Sequence, residues 1–179
     1  ERVLDVVRAS SPKKVLFTST SLVYGECVEA VKEGHDLAPK DTYAQFKVSC
    51  EKMIQEKLSD IPVAILRLGN KGFIGLVLKR ISEKIEIKVN GDGLQERDYV
   101  FLDEVVSAMI AIKKNLKESD IVNIVTGKSE TLLDVLKVLS EIIKEPISFS
   151  VTNEPVVEAQ VVRVDNTRLK EKYSFVPKI

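Results

Sequence analysis

Residues 15–25 read VLFTSTSLVYG, and residues 42–47 read TYAQFK. The first stretch is a short apolar run followed by hydroxyl-bearing residues, which is typical of a buried strand in a parallel sheet. Open α/β sheets place their ligands at the carboxyl ends of such strands, where Thr20 would lie. The second stretch opens a helix that the apolar spacing extends to residue 58. Together the two stretches predict a doubly wound α/β fold.

Tyr43 and Lys47 lie four residues apart, so their side chains share one face of the predicted helix. A phenol is a weak base at neutral pH, but a neighbouring ammonium favours the phenolate and would make Tyr43 a proton shuttle. The hydroxyl of Thr20 could then share the hydrogen bond to a substrate hydroxyl. The same spacing also arises by chance, with a lysine that only reaches from an apolar helical margin to water.

The amino-acid composition limits the kinds of molecule that the chain is expected to bind. The 179 residues are 44% apolar and 30% charged, which is typical of one globular unit. The 27 basic and 27 acidic side chains cancel, so neither nucleic acid nor an anionic membrane is expected as a partner. Cys27 and Cys50 have no metal-ligand spacing and form no disulfide scaffold, which favours a reducing cytoplasm. A single histidine, His35, argues against a histidine-based metal site, and neither a signal peptide nor a membrane span is indicated.

The rest of the chain reads as alternating helices and strands. Helices are predicted at residues 1–10, at 71–81, over Val106 to Ile112 with Asp103 as the cap, at 132–143 with Thr131 as the cap, and at 165–169. Strands are predicted at residues 63–66, 85–89, within 92–100, at 121–124 and at 147–151, and a loop is predicted at 26–41. This alternation is typical of an α/β protein.

Gly69 to Gly75 spells G-x-x-G-x-x-G between a strand and a helix, the form of a dinucleotide-binding fingerprint. Such a fingerprint should open a βαβ unit whose second strand ends in an acidic residue. The next predicted strand runs instead into Asn90-Gly91-Asp92-Gly93. We therefore interpret the glycine pattern as accidental.

Five segments, taken in order, resemble the extended short-chain dehydrogenase/reductase family in its nucleotide-sugar epimerase and dehydratase branch, which includes UDP-glucose 4-epimerase. The segments are residues 15–25, 43–47, 63–70, 90–104 and 122–136. The resemblance implies a Rossmann-like parallel sheet with a small C-terminal α/β substrate-binding portion. Residues 1–70 would be the last part of the dinucleotide-binding domain and 71–179 mostly the substrate-binding portion, with 98–125 returning to the sheet.

The resemblance also implies an activity, an NAD(P)-dependent epimerisation of a nucleotide sugar through a 4-keto intermediate. Tyr43 would remove the proton of the sugar C4 hydroxyl, Thr20 would orient that hydroxyl, and Lys47 would bind the nicotinamide ribose. The ketone would rotate before hydride returns to its other face. A homodimer built through helices 1–10 and 42–58 is implied as well.

Further binding residues follow only from the resemblance. It assigns Leu68, together with Tyr43 and Lys47, to the cofactor, which is NAD or NADP. It assigns Asn70, Asn90 and Arg97, with Thr20, to the substrate, and Arg97 would reach the substrate's phosphates. Taken by itself, Arg97 could equally be a surface arginine paired with a neighbouring carboxylate.

The departures from the family pattern leave alternatives open. No glycine-rich turn precedes Thr20, so the family's first βαβ units are expected to be absent from this chain. Asn90 stands where relatives often stack an aromatic residue on the base, and residues 153–160 contain no arginine. Ser21 and Leu22 supply no acid of the kind found in sugar dehydratases. A reductase with the same site residues, or a non-catalytic binding or assembly domain, therefore remains a second interpretation.

Overall fold

The computed structural model describes residues 2–70, 72–152, 154 and 157–178. In these ranges the helices are α1 (Arg2–Ala9), α2 (Thr42–Lys57), α3 (Phe73–Ser82), α4 (Leu102–Asn115), α5 (Leu132–Ile143) and α6 (Thr167–Tyr173), and a 3₁₀ turn spans Ser21–Tyr24. The strands are β1 (Val15–Thr20), β2 (Cys27–Val31), β3 (Val63–Leu68), β4 (Ile87–Val89), β5 (Glu96–Asp98), β6 (Asp120–Ile124), β7 (Ser129–Thr131), β8 (Phe149–Val151) and β9 (Val162–Val164).

A parallel sheet of three strands, in the order β1-β3-β6, forms the centre of the molecule. All six residues of the middle strand, β3, are buried. A parallel strand covered on both faces has this near-continuous apolar character, which is why residues 63–66 could be recognised in the sequence. The predicted parallel α/β sheet is confirmed.

Helices lie on both faces of this sheet. Leu66 of β3 belongs to the core cluster that contains Val105 and Ile112 of α4. The preceding residue, Ile65, packs with Ile54 of α2. Because successive strand residues point to opposite faces, α4 and α2 cover opposite sides of the sheet. This is the doubly wound arrangement that the sequence predicted.

The other strands form three short pairs beside the central sheet. Strand β4 pairs in parallel with β8, β2 pairs in parallel with β9, and β5 pairs antiparallel with β7. Val77 of α3, Ile87 of β4 and Leu136 of α5 share a separate apolar cluster. Helix α3, strand β4 and helix α5 thus build a second apolar cluster beside the central sheet. The division into residues 1–70 and 71–179 stays a prediction.

Two predictions of local structure are wrong. The predicted loop at 26–41 contains β2, whose only buried positions are its two ends, Cys27 and Val31. That pattern carries no strand signal, and pairing with the distant β9 makes the segment a strand. Asp103 is not the cap of α4, because the helix begins after Phe101 without a side-chain capping bond. The predicted cap of α5 is confirmed, since Thr131 Oγ1 accepts a hydrogen bond from the Asp134 amide at 3.0 Å.

Helix α2 has the predicted bounds, but its apolar stripe is only partly covered. The buried residues of the helix are Ala44, Glu51 and Ile54, whereas Phe46 is 62% exposed. The neighbouring helix α1 contains no buried residue at all. The described residues therefore leave an apolar surface open on α1 and α2.

The glycine pattern at residues 69–75 does not open a dinucleotide-binding unit. Helix α3 leads to β4, which pairs with β8 and not with the central sheet. A Cβ atom added to Gly69 would meet the Asp98 carbonyl oxygen at 2.7 Å, so this glycine permits the close approach of β5 and serves the fold. The topology supports the interpretation that the pattern is accidental.

Two further sequence expectations can be compared with the structure. None of the helices in the described ranges is long and apolar enough to cross a membrane. Cys27 and Cys50 are both free thiols. Burial raises the pKa of the Cys27 thiol, so this side chain behaves as a core residue.

Candidate active site

A cleft of about 300 Å³ lies at the carboxyl ends of β1 and β3. Five of the seven predicted site residues line it, namely Thr20, Tyr43, Leu68, Asn70 and Arg97. They come from two strands of the central sheet, from the start of α2 and from β5. Parallel strands that end at one edge bring such distant residues together. Lys47 and Asn90 do not line the cleft.

Thr20 is the last residue of β1 and lies at the floor of the cleft. Its Oγ1 accepts a hydrogen bond from the Leu22 amide at 3.3 Å, which caps the 3₁₀ turn that follows. The residue is only 8% exposed. The turn thus fixes the backbone on which the Thr20 hydroxyl is presented.

Tyr43 is placed at the cleft by the start of α2. Asp41 caps this helix, because its Oδ1 accepts a hydrogen bond from the Ala44 amide at 2.8 Å. Tyr43 itself is 53% exposed, so its ring lies at the rim and not in the core. A phenol in this position is accessible to a ligand that occupies the cleft.

Lys47 lies one turn further along α2, beside the cleft. Its Nζ is 5.8 Å from the centroid of the Tyr43 ring and 4.8 Å from that of Phe17. The ammonium donates a hydrogen bond to the carbonyl oxygen of Thr18 at 2.8 Å. The predicted neighbourhood of Tyr43 and Lys47 is thus present, although the strand carbonyl is the direct partner of the ammonium.

Arg97 brings a guanidinium to the opposite wall and is only 5% exposed. Its Nη1 donates to the carbonyl oxygens of Glu96 at 2.8 Å and Gln160 at 3.2 Å. Its Nη2 forms an ion pair with Glu158 Oε2 at 3.0 Å. The arginine is therefore held in place by carbonyl groups, while one carboxylate of the cleft occupies its outer nitrogen.

Leu68 and Asn70 form the edge between the two walls. Leu68 ends β3 and contributes an apolar surface to the cleft. Asn70 Oδ1 accepts hydrogen bonds from the amides of Gly72 at 3.1 Å and Phe73 at 3.3 Å, so it fixes the start of α3. Its own amide donates to the Asp98 carbonyl at 2.7 Å. Asn70 therefore has a structural function in addition to its place in the cleft.

Asn90 is exposed in the turn between β4 and β5. Its carbonyl oxygen accepts a hydrogen bond from Gln95 Nε2 at 2.9 Å. The described structure does not bring its side chain to the cleft with Thr20 and Tyr43. Its assignment to substrate binding stays a prediction without geometric support.

Asp98 stabilises the loop behind Arg97. Burial raises the pKa of the Asp98 carboxyl even though hydrogen bonds from Thr126, Gly127 and Lys128 favour its charged form. The carboxylate oxygens accept from the Thr126 hydroxyl and from the amides of all three residues. This contact fixes β5 against the residues that follow β6, and with it the position of Arg97.

The sequence interpretation missed Glu158 and Glu51. Glu158 lies in a region that the sequence described only by its lack of arginine. Glu51 continues the four-residue spacing of Tyr43 and Lys47 by one more turn, and this spacing was the signal that could have found it. Within the part of the chain that the structure describes, no group of acidic, histidine and cysteine side chains is suited to a metal ion.

Residues 1–125 match the family described as the NAD dependent epimerase/dehydratase family. This match covers more than half of the chain. The chain belongs to this family. The resemblance inferred from residues 15–25 and the four later segments is therefore confirmed.

Proteins of this epimerase/dehydratase family include two curated relatives of the chain. The putative UDP-glucose 4-epimerase of Methanocaldococcus jannaschii is 32% identical over 82% of this chain and 51% of its own length. The protein described as uncharacterized UDP-glucose epimerase YtcB of Bacillus subtilis is 25% identical over 99% of this chain and 60% of its own length. The chain thus spans 51% and 60% of the lengths of these two relatives.

A solved structure of another protein has the same fold. MoeE5 in complex with UDP-glucuronic acid and NAD superposes with a TM-score of 0.93, at 18% sequence identity. The superposition covers 99% of this chain and 64% of MoeE5. At this identity the likeness concerns the fold, and it agrees with the parallel β1-β3-β6 sheet described above.

The residues at the cleft fit one end of the family's cofactor. An accessible phenol on Tyr43, the Lys47 ammonium and the apolar side chain of Leu68 suit a nicotinamide ribose. Helix α3, which follows the glycine pattern at residues 69–75, leads to β4 outside the central sheet, so this turn lacks the βαβ context of a pyrophosphate site. The assignment of Tyr43, Lys47 and Leu68 to the cofactor stays a prediction.

Proposed function

We propose that the protein carrying this chain is an NAD-dependent 4-epimerase of a nucleotide sugar. The observation that supports this most directly is the meeting of Thr20, Tyr43 and Arg97 in one cleft. The hydroxyl groups of Thr20 and Tyr43 can exchange a proton or a hydrogen bond with a ligand. The Arg97 guanidinium across the cleft can bind a phosphate. A nucleotide sugar carries both kinds of group, a sugar hydroxyl and a diphosphate.

In this proposal Tyr43 accepts the proton of the sugar C4 hydroxyl as the general base. The Thr20 hydroxyl orients the substrate hydroxyl from the cleft floor, and the Lys47 ammonium lies 5.8 Å from the centroid of the Tyr43 ring. The bound cofactor would take the hydride from C4 and later return it. After the 4-keto sugar has turned over in the cleft, Tyr43 gives the proton back to the C4 oxygen as the hydride returns to the opposite face of C4. Tyr43 serves as base in the oxidation and as acid in the reduction, so one site suffices for both half-reactions.

Arg97 binds the diphosphate in this arrangement. Charge-assisted hydrogen bonds from a guanidinium to phosphate are strong and directional. The substrate anion replaces the Glu158 carboxylate at Nη2, whereas the bonds from Nη1 to the backbone stay in place. Tyr43, Lys47 and Leu68 would hold the nicotinamide end of NAD or NADP.

A non-catalytic binding or assembly domain is the second candidate. The observation that favours it is the topology after residues 69–75, where α3 leads to β4 outside the central sheet and forms no dinucleotide-binding unit. Against it stands the combination of Thr20, Tyr43 and Lys47, which a domain without chemistry does not need. A reductase with the same residues differs from the epimerase only in consuming the reduced cofactor.

Assembly and location are part of the same proposal. Val3 and Val6 of α1 and Phe46 of α2 are exposed. An apolar groove of about 420 Å³ runs between these helices and β1. We expect this surface to form a homodimer through α1 and α2. The two free thiols agree with a reducing cytoplasm.

Product analysis tests the proposed function. The protein is incubated with NAD and a panel of UDP- and dTDP-sugars, and the products are separated by anion-exchange chromatography and identified by NMR. An epimerase converts the sugar at C4 without net change of the cofactor. In a parallel incubation with NADH or NADPH and a 4-keto nucleotide sugar, net oxidation of the reduced cofactor would show a reductase instead. Binding of a nucleotide sugar without any turnover would support the non-catalytic domain.

A further inference from the structure

A row of buried polar residues crosses the central sheet one position before the strands end. Ser19 of β1 pairs in register with Arg67 of β3, and Arg67 pairs with Asn123 of β6. These residues are 3%, 2% and 0% exposed. Ser19 lines the cleft, as do the next residues along β1 and β3, Thr20 and Leu68. Arg67 and Asn123 therefore lie directly behind the floor of the proposed active site.

Glu51 of α2 binds this row from the helix side. Its Oε1 accepts hydrogen bonds from Ser19 Oγ at 2.5 Å and from Arg67 Nε at 3.2 Å. Its Oε2 accepts from Arg67 Nη2 at 2.7 Å, which makes the ion pair bidentate. Glu51 follows Tyr43 by about two helical turns on the same face. One carboxylate thus ties the helix that carries Tyr43 to strand β1.

A second contact fixes the same helix against the same strand. The Lys47 ammonium donates to the carbonyl oxygen of Thr18 at 2.8 Å. Thr18 and Ser19 are consecutive in β1, and Lys47 and Glu51 are one turn apart in α2. A slide of α2 by one turn, about 5.4 Å, would break both contacts. Together they define the register of α2 on β1.

Arg67 also holds the segment that follows β1. Its Nη1 donates to the Tyr24 hydroxyl at 2.9 Å and to the Glu33 carbonyl at 3.1 Å. The Tyr24 hydroxyl in turn donates to Asn123 Oδ1 at 2.7 Å. Tyr24 ends the 3₁₀ turn that Thr20 caps. The guanidinium is therefore bound directly to the chain after Thr20, and through Glu51 it is linked to Ser19, the residue before Thr20.

Stability alone explains this buried ion pair poorly. Removing a carboxylate and a guanidinium from water costs about as much as their attraction returns, and well-packed apolar residues often stabilise a core equally well. A bidentate pair has a different property, because its two parallel hydrogen bonds define both distance and orientation. Glu51 and Arg67 therefore define the distance and orientation of α2 relative to β3.

We propose that Glu51 and Arg67 are positioning residues, which fix α2 against β1 and so set the distance between the Tyr43 phenol and the Thr20 hydroxyl. This inference rests on the proposed function, because the distance matters only if a proton moves there. Both side chains lie in the core behind the cleft and act through the helix and the strand.

Two variants test the positioning role. Ser19→Ala removes one hydroxyl. The double variant Glu51→Leu with Arg67→Met replaces both members of the ion pair, so that neither charge stays buried without its partner. We expect kcat to fall by about tenfold to a hundredfold, because displacing a reacting group by about 1 Å can slow a reaction by up to about a hundredfold. The KM for the nucleotide sugar should stay within about twofold, since Arg97 is held by other contacts. Melting temperatures should change little.

The matched control is Ser49→Ala. Ser49 is an exposed residue of the same helix whose hydroxyl donates to the Gln45 carbonyl at 3.1 Å. The control removes the same hydroxyl group from α2 without touching β1. We expect its kcat and melting temperature to equal those of the unchanged protein.

Amide hydrogen exchange gives a readout that does not depend on turnover. In both variants residues 42–50 should exchange faster, while α4, on the other face of the sheet, should keep its protection. Unchanged kcat together with unchanged exchange would overturn the proposal. So would a lowered melting temperature with normal kcat per folded molecule. If the unchanged protein turns over no nucleotide sugar, the proposed function fails, and exchange at 42–50 alone decides whether the pair fixes α2.

Discussion

The two walls of the cleft are held in different ways. Tyr43 and Thr20 stand on a wall whose helix and strand are joined by the buried contacts of Glu51. Arg97 stands on the other wall, and the side chain of its carboxylate partner, Glu158, is 53% exposed. Only the carboxylate of this pair is exposed to water, which weakens its hold on the guanidinium and lets another anion compete for the outer nitrogen. A buried bidentate pair does not exchange in this way.

This difference agrees with the chemistry proposed for each wall. A proton transfer needs atoms within hydrogen-bond distance and tolerates little displacement. Anion binding needs a guanidinium that can give up one partner for another. The comparison therefore predicts that changes on the Tyr43 wall act on turnover and that changes on the Arg97 wall act on affinity.

Replacing Tyr43 with phenylalanine should have the largest effect. Turnover should fall about 10²-fold or more, because a positioned general acid-base group is lost. The melting temperature should stay unchanged, because the ring is half exposed and keeps its contacts. Steady-state kinetics and thermal unfolding of one preparation measure both quantities.

The control for this variant is Tyr173→Phe. The Tyr173 hydroxyl donates to Asp120 Oδ2 at 2.6 Å, far from the cleft. Its loss should cost about 1 kcal/mol of unfolding free energy and leave turnover per folded molecule unchanged. Normal turnover of Tyr43→Phe with a lowered melting temperature would end the assignment of Tyr43 as the base.

Replacing Lys47 with methionine should have the next largest effect. Turnover should fall about tenfold, because the variant loses both the cation beside the Tyr43 ring and the bond from α2 to the Thr18 carbonyl, and small misplacements of reacting groups are costly. Steady-state kinetics measure the fall. Lys52→Met, on an exposed position of the same helix, is the control and should leave turnover unchanged. Normal turnover of Lys47→Met would end the assignment of Lys47 to the site.

Changes on the opposite wall should alter affinity and leave turnover at saturation nearly intact. Arg97→Gln should weaken UDP binding by about tenfold or more, since a hydrogen bond to a charged group is lost. Glu158→Gln should strengthen it by up to about fivefold, because the anion no longer competes with an exposed carboxylate. Isothermal titration calorimetry with UDP measures both. Weaker binding by Glu158→Gln would show that this side chain contacts the ligand directly.

The smallest effect on activity is expected at Asp120. Burial alone would raise the pKa of this carboxyl, but hydrogen bonds from Tyr173 and Lys172 and the charge of Arg168 outweigh burial and lower it. Its ionised form therefore stabilises the folded protein above the unfolded pKa, about 4, and the contribution is lost as the pH falls through the lower folded value.

Asp120→Asn should accordingly cost roughly 2 kcal/mol of unfolding free energy at neutral pH. The difference from the unchanged protein should shrink as the pH falls below about 4, because both proteins then lack the charge. Urea unfolding at several pH values measures it. Turnover per folded molecule should be unchanged, and a loss of turnover would contradict the separation between this end of β6 and the cleft.

Much of the fold could be predicted because its signals are local. The apolar runs of β1 and β3, the cap at Thr131 and the helical spacing after Thr42 each depend on residues that are near neighbours in the chain. Strand β2 could not be found in this way, since three of its five residues are exposed and its partner β9 lies far along the sequence. The prediction of Asp103 as the cap of α4 was wrong, because the helix begins two residues earlier than its sequence indicates.

The candidate site shows the same limit. Residue types and spacing selected Thr20 and Tyr43, the family resemblance selected Arg97, and the structure brings all three to one cleft. The resemblance also selected Asn90, which the structure leaves exposed in a turn away from the cleft. Glu158 was missed because nothing in its neighbourhood identifies it as the partner of a residue 61 positions earlier.

The sequence by itself determined which chemical groups this protein contains and how they are spaced within each helix and strand. The placement of Tyr43 and Lys47 on one face of α2 is an example. Only the tertiary structure decided which groups meet across elements, as Ser19 and Arg67 do with Glu51. The physical reason is the register of parallel strands. A slip of one residue would turn Ser19 and Arg67 to the opposite face and leave the carboxylate without partners.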